Sequence, residues 1–121
     1  MNDLVWITMQ VLDVERARIF WREAIGLKEL SASEVWVELE IGPGIRLALH
    51  PVFHGPALER RGYDRGGPVL GLRVASLDEM GAMLERHGAK ALGPPHRIPQ
   101  GRARDFEDPE GYVFELVELS S

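Results

Sequence analysis

Apolar and polar residues alternate along the start of the chain. Trp6, Thr8 and Gln10 fall on one face and Ile7, Met9 and Val11 on the other, so the period of two predicts a strand over Leu4–Val11. The period then changes. Val14, Ala17, Phe20, Trp21 and Ala24 recur at helical spacing behind Asp13, a capping residue, and Gly26 closes the helix. Leu27–Ser31, Glu34–Ile41 and Ile45–His50 return to strand patterning. Ser-Ala-Ser at 31–33 separates the first pair, and Gly42-Pro43-Gly44 turns the second. The first half therefore reads β-α-β-β-β.

The same order recurs. Pro68–Val74 is a strand, Ser76 caps a helix with Glu79 at the capping-box position, and Leu77, Met80, Met83, Leu84 and His87 keep helical spacing up to Gly88. Ala89–Leu92, Ala103–Glu107 and Tyr112–Leu119 supply three more strands, with Asp108-Pro109-Glu110-Gly111 as the last turn. Val11 and Val74 are 63 apart, as are the caps Asp13 and Ser76, and the final strands of the two halves begin 67 apart. Such self-similarity marks a repeated module, and each module alone is short of core. The predicted fold class is α+β, with modules at about 1–51 and 67–121 in a single domain. The loop between them, about 52–66, is rich in Pro, Gly and Arg. It reads as a solvated linker or a lid hinged at Gly55, Gly62 and Gly66-Gly67.

Composition narrows the function. The chain has 121 residues, 45% hydrophobic and 27% charged, which suits a soluble globular protein. A net charge of −5 argues against general nucleic-acid binding, which depends on neutralising phosphates. The absence of cysteine excludes disulfides, thiolate catalysis and Cys-based zinc sites. No run has the length of a membrane span or the pattern of a signal peptide, so a cytoplasmic location is expected. There is no phosphate-cradling glycine loop, no Gly-x-Ser-x-Gly elbow and no His-Glu-x-x-His.

Several stretches resemble the vicinal oxygen chelate superfamily of glyoxalase I, bleomycin-resistance proteins and extradiol dioxygenases. They are Val11–Ala17, Phe20-Trp21 before Ile25-Gly26-Leu27, Gly101–Phe106, and Asp108–Tyr112 followed by Phe114-Glu115-Leu116. The resemblance implies that the modules form one cup-shaped mixed sheet with helices on its outer faces, and a homodimer. It also implies a metal site with one ligand from the first and one from the last strand of each module. Here those positions hold Trp6, Ala48, Val69 and Glu115, and only Glu115 can donate to a metal. No cofactor is therefore expected. A divalent metal held by Glu115 and His50 is the alternative.

The residues expected to face the cup and bind a ligand are Trp6, Thr8, Gln10, Trp36, Glu38, Arg46, His50, Arg73, Arg104 and Glu115. Trp6 and Trp36 are suited to stacking against a planar molecule, and Glu38 and Arg46 to pairing with each other. Arg102 and Arg104 alternate on the penultimate predicted strand, where they either clamp an anion or lie on the solvated surface. His54, His87 and His96 are read as structural or solvent-facing, and Trp21 as core. The function expected is metal-free binding of a small organic molecule, of the bleomycin-resistance kind. The alternative is a metal-dependent lyase, isomerase or dioxygenase.

Overall fold

The computed structural model describes residues 4, 6–51 and 68–120. The 52–66 linker and its glycine hinges lie outside the described residues. Two compact units divide the chain, Met1–Leu58 and Glu59–Ser121.

The first unit contains β1 (Trp6–Gln10), α1 (Val14–Ile19), a π-helical segment (Phe20–Ala24), β2 (Lys28–Ala32), β3 (Val37–Gly42) and β4 (Ile45–His50). Its sheet runs β1-β4-β3-β2, with β1 parallel to β4 and the other pairs antiparallel. Asp13 starts the helix by accepting a hydrogen bond from the Arg16 amide at 2.9 Å. The sequence pattern predicts one continuous helix to Gly26. The structure widens it after Ile19, where the Ile25 amide reaches back five residues to the Phe20 carbonyl. The wider turn carries two adjacent large side chains inward. Phe20 and Trp21 are both buried, edge to face at 5.5 Å. Beside them, Met9, Val37, Leu39, Leu47 and Leu49 make up one buried face of the sheet. Arg18 joins the helix to β2 through an ion pair with Glu29.

The second unit contains β5 (Leu70–Arg73), α2 (Leu77–Arg86), β6 (Lys90–Ala91), β7 (His96–Ile98), β8 (Gly101–Glu107) and β9 (Val113–Leu119). Its order is β5-β9-β8-β6, and β7 also pairs with β8. Thr8 lies opposite Ala48 in the first unit and Gly71 opposite Glu115 in the second, which reproduces the offsets of 63 and 67. The repeat read from the sequence is thus a repeat in strand register, and the α+β class with two β-α-β-β-β modules holds.

One strand was not expected. β7 lies between Pro94-Pro95 and Pro99, and strand patterning is weak there. It pairs with β8 on one side only, and an edge position tolerates residues that cannot donate to a ladder. Helix α2 begins where Ser76 accepts from the Glu79 amide. A second cap comes from far away in sequence: Glu118 on β9 accepts from the Leu77 amide at 2.9 Å and from Arg102 at 3.2 Å. The helix ends at Gly88, whose φ of +96° lets the Ala89 amide return to the Leu84 carbonyl. Leu77, Leu84, Phe106, Phe114 and Leu116 are buried in this unit. Among the described residues no helix is long and apolar enough to cross a membrane.

Candidate functional site

In the first unit, strand alternation sets one face against another. Leu47 and Leu49 turn to the buried side with Leu39 and Val37. Arg46, Ala48 and His50 turn the other way, level with Trp6, Thr8 and Gln10 on β1 and with Glu38 on β3. Seven of the expected ligand-facing residues therefore belong to one sheet face or its edge. Trp36, just before β3, is their hub. Its ring stacks on His50 at 5.3 Å and 12°, and meets Trp6 edge to face at 5.6 Å and 73°. Its indole N–H donates to Glu38 Oε2 at 2.8 Å, and Arg46 donates to Glu38 Oε1 at 2.7 Å. These two donors, Trp36 first, hold the Glu38 carboxyl below its usual pKa. The His50 ring also contacts the Pro51 carbonyl through Nδ1 at 2.7 Å. Trp6 remains 45% exposed while His50 is buried, so the cluster offers an aromatic surface on a fixed base.

In the second unit the pattern is different. Arg73, opposite Val117, shares a face with Glu115. Arg104 does not. It pairs with Leu116 and turns to the side on which α2 packs. There its Nε donates to the Gly93 carbonyl at 2.9 Å, its guanidinium is 3.8 Å from Glu85, and it lies 5.2 Å from the Phe106 ring centroid. Arg102 pairs with Glu118. Of the two readings of these arginines, the anion clamp is not the arrangement seen: each is engaged by a glutamate, and β8 alternation turns Arg104 away from Glu115.

Glu115 is accompanied by Asp105, which the sequence reading did not single out, and by His96, which it read as structural or solvent-facing. Asp105 lies directly opposite it on β8, and His96 on β7 is opposite Ala103, two residues from Asp105 on the same face. One donor atom from each of His96, Asp105 and Glu115 can be chosen so that all lie within 4.8 Å of one another. Among the described residues this is the only grouping of three potential metal ligands, and His50 is not a member. The Asp105–Glu115 pairing was within reach of the sequence, because the Asp108–Gly111 turn fixes the register of the last hairpin. The His96 partnership was not, because it depends on the unexpected β7.

At the metal positions that the resemblance implies, Trp6, Ala48 and Val69 present an indole, a methyl and an isopropyl group. Of these four residues only Glu115 can donate to a divalent ion, so the four by themselves do not make up a metal-ligand set.

Two β-α-β-β-β units with the same strand order, each closing its first strand in parallel against its last, place the chain among the paired-module α+β proteins. The chain belongs to the Glyoxalase/Bleomycin resistance protein/Dioxygenase superfamily, whose sequence profile matches residues 3–116. Among solved structures, it is similar to TnmS3, an antibiotic binding protein from Streptomyces sp. CB03234. Identity is 28%, the TM-score 0.74, and the match covers 99% of this chain and 98% of that one. A glyoxalase/bleomycin resistance protein from the same Streptomyces is also 28% identical, with a TM-score of 0.68 and coverage of 96% and 100%. The fosfomycin resistance protein FosX from Mesorhizobium loti shares the fold at 22% identity, with a TM-score of 0.74 and coverage of 99% and 94%. No curated protein matches the sequence.

Proposed function

We propose that this protein binds a small organic molecule with a planar aromatic part on the Trp6–Trp36–His50 face, by sequestration and without a metal at the positions the family uses. The observation that carries this is the Trp36 hub. A tryptophan stacked on a histidine, met edge-on by a second tryptophan and anchored to a carboxylate, is a rigid stacking surface that loses little freedom when a ligand arrives. Glu38 and Arg46 beside it supply charge of both signs for polar substituents. The likeness to TnmS3, an antibiotic binding protein, supports the same reading.

The test is a titration followed by tryptophan fluorescence, in EDTA, with a panel of planar aromatic antibiotics and dyes. Saturable quenching by at least one compound is expected. Trp36→Ala is expected to weaken it at least tenfold, about 1.4 kcal/mol. Trp6→Ala, at an exposed position, is expected to weaken binding while leaving Tm nearly unchanged. Binding that is indifferent to both substitutions would overturn the proposal.

A further inference from the structure

We infer that His96, Asp105 and Glu115 form a site for a divalent transition-metal ion within the second unit, beyond the organic-ligand reading and with a composition unlike that of the family's own metal positions. Two of its three donors, His96 and Asp105, are not at those positions at all.

Three observations support it. The first is the donor set. One imidazole and two carboxylates converge with their ligand atoms within 4.8 Å. Bonds of about 2.0–2.2 Å to nitrogen and oxygen place neighbouring ligand atoms roughly 3–3.5 Å apart, so the widest pair has to draw in by no more than about 1.8 Å. Side-chain rotation supplies that, since His96 is exposed on its edge strand.

The second is an orphaned atom. Oδ1 of Asp105 is buried and has no hydrogen-bond partner. A buried carboxylate oxygen without a donor is costly, and every other buried side-chain nitrogen or oxygen among the described residues has a partner. A cation is a partner such an oxygen can accept without a hydrogen.

The third is charge. Asp105 and Glu115 face each other directly across β8 and β9, and no described Lys or Arg pairs with either. Like charges at directly opposed positions destabilise a sheet, and a bound cation reverses that term. Opposite Glu115 on β5 stands Gly71. A Cβ there would come 3.7 Å from Glu115 Oε1, so the glycine leaves the carboxylate free space to move. A site with one nitrogen and two oxygen donors favours Zn(II), Co(II) or Mn(II) over Mg(II) and Ca(II), which take six or more oxygens.

The experiment uses the full chain stripped with EDTA and then freed of chelator. Zn(II), Co(II), Mn(II) and Mg(II) are added singly, with Tm and calorimetric stoichiometry as readouts and the visible absorption of Co(II) as a third. We expect at least one transition-metal ion to bind once per chain and raise Tm by several degrees. His96→Ala and Asp105→Asn are each expected to weaken binding at least tenfold. Before any metal is added, Asp105→Asn is expected to melt at or above the parent temperature, since it removes the opposed charge; that comparison shows the variant is folded. No shift with any ion would overturn the inference. So would a shift that both variants retain, or a response to Mg(II) as large as to Zn(II). The organic-ligand titration is carried out in EDTA, so either reading can fail without the other.

Discussion

Glu38 is held from two sides, and its ionisation is tied to the shape of the aromatic cluster. Trp36 Nε1 and Arg46 both donate to it, and both bonds are strongest when it is charged. Its pKa is therefore depressed in the folded protein from the ordinary 4.5, with the Trp36 bond the larger cause. A depressed carboxylate stabilises the fold fully above its unfolded pKa, and that contribution is lost as pH falls through the folded value. Arg46 is 48% exposed, so solvent screens its share. Glu38→Gln keeps an oxygen for the indole N–H but loses the charge. It is expected to reduce stability at pH 7 by about 0.5–1 kcal/mol, a Tm difference of a few degrees. The difference should close as pH falls from about 4.5 towards 3. Thermal melts of both proteins across that window check the sign: a gap that widens at low pH contradicts it.

At the scale of elements, the legibility of the chain depended on how each element is specified. The ladder β1, β3, β4 was legible because alternation places Leu47 and Leu49 opposite to Arg46 and His50, and a one-residue slip would bury charge. Both helices were legible from Asp13 and Ser76, whose side chains cap them as their positions suggest. β7 was not, since its three residues pair at an edge and carry no period of their own. With β7 missing, the grouping around His96 was invisible. The π segment was missed for a related reason: the adjacent Phe20 and Trp21 fit a buried stripe only if the turn widens. Arg104 was assigned to the wrong side because its face follows from the register with β9, which Asp105 opposite Glu115 makes explicit. The packing of α2 on that side yields a prediction. A Cβ on Gly81 would lie 3.2 Å from an Arg104 guanidinium nitrogen and 3.3 Å from Cζ of the fully buried Phe106. A large side chain there has to displace the ring. Gly81→Leu is expected to cost about 1–3 kcal/mol by overpacking, despite its gain in helix propensity. Urea denaturation with an unchanged m-value checks it, and a variant as stable as the parent would mean that α2 moves freely over β8.

For the molecule as a whole, two kinds of chemistry are segregated in sequence: an aromatic face built by the first unit and an acidic, imidazole-bearing one built by the second. The superfamily has room for both binding and metal-dependent activities on one fold, so the fold alone does not choose between them. In the function proposed here, Trp6, Ala48 and Val69 leave Glu115 as the one family-position donor, and stacking on Trp36 needs no ion. An organic ligand bound at about 100 times its dissociation constant adds roughly 2.7 kcal/mol of stability, or roughly 10 °C in Tm for a domain of this size. That shift is expected to be the same, within about 1 °C, in EDTA and in the presence of Zn(II), after subtracting whatever Zn(II) does on its own. Equality follows if the aromatic face binds by contact alone. A ligand shift that disappears in EDTA would mean that the ion bridges protein and ligand. In that case Glu115→Gln would abolish ligand binding together with the metal.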